Sequence, residues 1–116
     1  MKMSDINYSV EFIKTDNKVI FKGNLRLQSV EEYNEIMDFV FNCAINSETI
    51  LLIDMTQLSV INSSGIASLG LFLIKMRDYQ KKIKILASKY VHWQSVSLKD
   101  FKEINEDVEI EYVVHH

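Results

Sequence analysis

Hydrophobic and polar positions alternate first near the start of the chain, where Tyr8, Val10 and Phe12 are separated by Ser9 and Glu11. A period of two predicts a half-buried strand. Asp16-Asn17 supplies turn chemistry, and Val19-Ile20-Phe21 opens a second strand, so the two predict a hairpin. Gly23-Asn24 interrupts the second strand where a bulge or a close backbone approach would fit. The period then changes. Ser29-Val30-Glu31-Glu32 forms a capping box, with the Ser29 hydroxyl accepting from the Glu32 amide and the Glu32 carboxylate reaching back to the Ser29 amide. Tyr33, Ile36, Met37, Val40 and Ala44 follow at helical spacing, Glu31, Glu35 and Asp38 lie on the solvent side, and Asn46 is a plausible stop.

Ile50 to Ile53 is apolar at every position, which predicts a central parallel strand covered on both faces and closed by Asp54. After a loop, Ser63-Ser64-Gly65 opens a second helix that runs to about Gln80, and Ile83 to Leu86 forms the next strand. Ser97-Leu98-Lys99-Asp100 resembles another cap, followed by Leu98, Phe101 and Ile104 at helical spacing. Val108, Ile110 and Tyr112 alternate with Glu109 and Glu111 in a last strand. The expected order is β-β-α-β-α-β-α-β, an α/β fold with a mixed β-sheet flanked by helices. With no proline, three glycines and no repeat, nothing marks a linker, so one domain over residues 1–116 is expected, its core at about 8–112.

Composition narrows the classes. At 116 residues with 47% hydrophobic and 25% charged content, the chain can bury a core without disulfides or metal. Cys43 is the only cysteine, which suits a reducing compartment and a buried, packing role. A net charge of -3 argues against general nucleic-acid binding. The cluster Lys75, Arg77, Lys81, Lys82 and Lys84 reads first as a solvated helix end and second as a docking patch for an acidic partner. No apolar leader follows Met1, and the longest apolar stretch, Ile66 to Ile74, has nine residues where about twenty cross a bilayer, so a cytoplasmic location without membrane insertion is expected. His115-His116 carry the look of a tag remnant.

The chemistry centres on Asn62-Ser63-Ser64-Gly65. A helix N-terminus has amides without intrahelical acceptors and the positive end of the macrodipole, so it favours an oxygen-rich group; Asn62 or Ser63 can cap it. The helix behind is apolar on more than one face. Ile66, Leu69, Leu73 and Met76 suit packing on the sheet, whereas Ala67, Leu71, Phe72 and Ile74 lie elsewhere, and Leu71 and Phe72 are the preferred exposed contacts.

The element order, with the segments Leu52-Ile53-Asp54-Met55-Thr56 and Val60-Ile61-Asn62-Ser63-Ser64-Gly65-Ile66, resembles STAS domains, the family of the bacterial anti-sigma factor antagonists. The resemblance spans about residues 8 to 112. It implies a non-catalytic signal-transduction module that acts by partner switching in transcription regulation. Ser63 is the implied phospho-acceptor, and the implied partners are an anti-sigma-type serine kinase and a resetting serine phosphatase. Gly23-Asn24-Leu25 matches the family's Gly-Xaa-Leu step, whose following loop shares the partner surface. The implied contact set is therefore Gly23, Asn24, Asn62, Ser63, Ser64, Gly65, Ile66, Ala67, Leu71 and Phe72, on a monomer or weak dimer. Two departures stand out: Asn62 occupies the place of an Asp, and His92-Trp93-Gln94-Ser95-Val96-Ser97-Leu98 is not the usual antagonist sequence before the last helix.

Other classes fit less well. A serine hydrolase would pair Ser63 or Ser64 with His92, but no glycine precedes the serine as in a nucleophile elbow. Glu106, Asp107, Glu109 and Glu111 have neither histidine nor cysteine among them to build a transition-metal site, and no cofactor is expected. The alternative is a small-ligand sensor or assembly scaffold without phosphorylation, with Trp93 either lining a pocket or packing at the core rim.

Overall fold

The computed structural model describes residues 1–113; His115 and His116, with the tag reading attached to them, lie outside the described residues. Six strands form one sheet in sequential order. They are β1 (Lys2–Ser4), β2 (Tyr8–Ile13), β3 (Lys18–Leu25), β4 (Leu51–Ile61), β5 (Ile83–Ala87) and β6 (Glu109–Tyr112). β1, β2 and β3 pair antiparallel, while β3 to β6 pair parallel. Three helices make the parallel crossovers: α1 (Val30–Ile45), α2 (Ser63–Asp78) and α3 (His92–Ile104). The expected α/β order holds from β2 onward; β1 is an addition, too short to show a period.

Right-handed crossovers between strands laid down in one direction place all three helices on the same side. Burial agrees. Val10, Val19, Phe21, Leu51, Ile53, Ile83 and Ile85 face the helices and are buried. Their strand neighbours Ile20, Leu52, Asp54 and Leu86 are only half-buried on the opposite face. The expectation that the β4 run is covered on both faces is therefore corrected: one side of the sheet is open, and Lys84 and Glu111 form an ion pair of 3.0 Å across it.

β4 also runs on where a loop is expected after Asp54. The carboxylate of Asp54 turns back within the strand, accepting from the Thr56 amide at 2.9 Å and its hydroxyl at 2.6 Å. There β4 leaves β5, pairing with it only over Leu51–Asp54, but continues beside β3 as far as Ile61 through two register shifts. α3 fills the opening. Its Gln94, fully buried, donates to the carbonyls of Met55 (2.6 Å) and Leu58 (3.2 Å) and accepts from the Ser88 amide (2.8 Å), while the Trp93 indole donates to Leu58 at 2.8 Å. A buried carbonyl without a partner is costly, so these side chains replace the lost ladder. This also fixes the start of α3 at His92 rather than at the Ser97 cap expected from sequence, with Val91 as an N-cap that offers no side-chain bond.

Candidate functional site

The segments singled out in the sequence meet at the carboxyl ends of the parallel strands β3 and β4, the end of an open α/β sheet where ligands and partners are commonly received. Asn24 and Leu25 of β3 pair with Val60 and Ile61 of β4, one residue before Asn62. The bulge expected at Gly23 is present, with a φ of +94° that L side chains rarely adopt. A Cβ there would strike the Asn7 carbonyl, whose oxygen accepts from the Asn24 amide at 2.8 Å. Gly23 is thereby a backbone requirement of the β1–β2 turn, and Asn24 is the exposed member of the pair.

Asn62 is the cap of α2. Its Oδ1 accepts from the Gly65 amide at 3.1 Å and from the Tyr33 hydroxyl at 2.6 Å, and its Nδ2 donates to the Leu27 carbonyl at 2.6 Å. The Leu27 amide in turn donates to the Tyr33 oxygen at 3.3 Å. One amide thus ties the α2 N-terminus to α1 and to the β3–α1 loop. A carboxylate at this position could keep two of the contacts but would face the Leu27 carbonyl without a proton to donate. Tyr33 is buried, and desolvation raises its phenol above the usual range; the Leu27 amide pulls it down, while Tyr8 and Glu32 push it up. Helical spacing predicts the core position of Tyr33 but carries no signal for the bond that its hydroxyl makes to Asn62.

With Asn62 as cap, Ser63 is released from that role. It is the first helical residue and is exposed. Ser64 is half-buried, its carbonyl accepting from the Ser68 hydroxyl at 2.8 Å. Gly65 is buried for packing, since a Cβ would meet Ile61 and, at 2.7 Å, the Tyr33 oxygen. Its amide is already taken by Asn62, so the helix-end amides of Ser63 and Ser64 are those left without intrahelical acceptors. The capping box at α1 is also half as expected: Ser29 accepts from Glu32 at 3.3 Å, but Glu32 reaches the Gln28 amide, at 2.7 Å.

Along α2 the exposed line runs Ser63, Ala67, Leu71, at i, i+4 and i+8. Leu71 is 57% exposed. Phe72, expected beside it as an exposed contact, is 4% exposed because it turns into the α1–α2 seam, and this is a correction. Ile66 is half-buried and, with Ala67, Gly70, Leu71, Ile74 and Phe101, lines a cleft of about 420 Å³ between α2 and α3. The ridge is therefore an apolar stripe headed by a serine. At its far end the basic cluster is largely engaged within the chain. Lys75 lies 3.8 Å over the Phe41 ring, Arg77 donates to the Ile104 carbonyl at 3.0 Å, and Lys81 to that of Ser47 at 3.4 Å.

His92 is exposed at the start of α3, and its neighbour Trp93 packs against the core rim. Cys43 is half-buried, with desolvation raising its thiol above the usual range. No cluster of metal-ligating side chains occurs among the described residues, and no helix among them is long and apolar enough to cross a membrane.

Fold and site together define an open, mixed α/β sheet with one helical layer, presenting a capped serine at the head of an apolar helix ridge. Solved structures with this fold include SiaC of Pseudomonas aeruginosa, at a TM-score of 0.72 and 13% identity over 99% of this chain and 98% of that one. A chain from the complex of the P. aeruginosa diguanylate cyclase SiaD with its activator SiaC superposes with a TM-score of 0.71, at 12% identity over 97% of this chain and 99% of that one. Apo-SiaC from the same organism gives 0.65 and 14%, over 94% and 93%. No protein-family model matches the chain, and no curated protein matches it.

Proposed function

We propose that this chain is a non-catalytic regulatory module of the STAS type that binds a protein partner along α2 and is switched by phosphorylation of Ser63. The observation that carries the reading is the separation of roles at the α2 N-terminus: Asn62 holds the cap, leaving Ser63 exposed at the head of the Ala67–Leu71 ridge. A phosphate on Ser63 adds nearly two negative charges beside the amide end of the helix, which stabilises it locally by about 0.3–1 kcal/mol. The fold need not change. The surface does, because a dianion at the edge of an apolar contact is costly to desolvate and repels a facing carboxylate.

The partner in this reading is an anti-sigma-type serine kinase, with a serine phosphatase resetting the switch in the cytoplasm. The fold shared with SiaC, named as an activator of a diguanylate cyclase, supports a role in which binding to a second protein is the activity. The site residues in this reading are Asn24, Ser63, Ala67 and Leu71 at the surface, with Ile66 in the adjoining cleft. Asn62, Gly65 and Gly23 shape the backbone that presents them.

The test is incubation with ATP and candidate anti-sigma-type serine kinases from the same cell, followed by intact mass. The parent gains one phosphate and Ser63→Ala gains none; because Ser63 is not the cap, the variant keeps its fold. Equal phosphate gain in both would remove Ser63 as acceptor.

A further inference from the structure

At the opposite end of the sheet lies a cavity of about 540 Å³ between α1 and the edge strands β1 and β2, within the range typical of small-molecule pockets. It arises because the helical layer stops at α1 while the sheet continues past it. Phe12 of β2 and Phe39 and Cys43 of α1, one helical turn apart, form apolar walls, all half-buried and packed on the edge of the core.

The polar end of the cavity is fixed in place. Asn17, in a left-handed conformation with φ of 50°, donates to Thr49 (3.3 Å) and to the Ile50 carbonyl (2.9 Å), and accepts from the Ser47 hydroxyl (2.9 Å). Ser47 holds its hydroxyl oxygen near the Cys43 carbonyl as well, at 2.7 Å. These bonds lock the β2–β3 turn to the α1–β4 loop, so the cavity does not have to be ordered by its occupant. Beside this clasp stands Lys14, on the short 3-10 turn Lys14–Asp16, and among the described residues it forms no ion pair with a carboxylate.

We propose that this cavity is a binding site for a small anionic amphiphile, a carboxylate on an aliphatic tail, with the tail between Phe12, Phe39 and Cys43 and the head at Lys14. Apolar walls favour the tail through burial, and the positive charge of Lys14 orients the anionic head. Glu48, also among the lining residues, repels the head, so the head is drawn to the cationic side of the cavity, where Lys14 stands with the Met1 amino group. The site is remote from Ser63 and stands whether or not Ser63 is phosphorylated.

The chain's only cysteine reports occupancy, since Cys43 is part of the wall. The full chain is alkylated with N-ethylmaleimide at pH 8.5 in the presence of decanoate or decanol, and adduct formation is followed by intact mass. A ligand of this size binding with a Kd on the order of 0.1 mM gives, at 1 mM, about tenfold slower alkylation by mass action. Lys14→Glu, a change at an exposed position, weakens protection by decanoate at least about threefold and leaves that by decanol unchanged. Absence of protection by decanoate at 1 mM would overturn the site. Equal protection of parent and Lys14→Glu by decanoate would overturn the assignment of the anionic head.

Discussion

Asn62 and Tyr33 show how two side chains set what the neighbouring serine is free to do. The Tyr33 hydroxyl donates to Asn62 Oδ1 only while protonated, and burial raises its pKa above that of the unfolded chain. The sign follows from linkage. Stability contributed by this group is complete below the unfolded-state pKa and is lost as the pH rises through the folded-state value, because the unfolded chain ionises first. Tyr33→Phe should cost about 1 kcal/mol at pH 7, the net value of one hydrogen bond. It should also flatten the loss of stability in the alkaline range, as measured by urea unfolding between pH 7 and 11. An alkaline limb as steep as the parent's would place the titration elsewhere. The sequence alone does not separate the roles of Asn62 and Ser63, both good caps; the bonds of the Asn62 amide to Gly65 and to Leu27, 35 positions away, decide it.

At the scale of elements, the sequence is legible where a period is sustained and silent where side chains act on foreign backbone. The α1 face Tyr33, Ile36, Met37, Val40 and Ala44 is buried as its spacing predicts, and Asn17 and Gly23 sit at positive φ where turn and bulge chemistry point. The second half of β4 has no clean alternation because register shifts break it. α3 opens with His92-Trp93-Gln94, whose buried member is an amide, so polarity misplaced its start. Gln94 is the means to test that account. Gln94→Leu leaves the Met55 carbonyl and the Ser88 amide without partners and should cost about 2–4 kcal/mol, seen as a lower urea midpoint at unchanged slope. A loss within about 0.5 kcal/mol, the usual effect of a surface change, would show that α3 is held by Leu98 and Phe101 alone.

For the whole molecule, one helical layer on a six-stranded sheet leaves three kinds of surface. These are the open sheet face, the remote cavity and the α2 ridge, and the ridge sets the exposed Ser63 hydroxyl in line with the exposed Ala67 and Leu71. The breadth of apolar positions in α2 was legible; that Phe72 belongs to the interior and Leu71 to the surface required the placement of α1. Leu71→Glu should therefore abolish partner recovery while shifting stability by no more than about 0.5 kcal/mol. The comparison of a pull-down yield with a melting curve checks both halves of that statement.

The central claim is that charge at Ser63 controls partner binding without refolding the domain. The most direct measurement is recovery of the kinase partner by immobilised parent, Ser63→Ala and Ser63→Asp proteins of equal melting temperature. Parent and Ser63→Ala should recover it equally, and Ser63→Asp at least about tenfold less, the equivalent of some 1.4 kcal/mol. Equal recovery by all three would contradict a charge-operated switch.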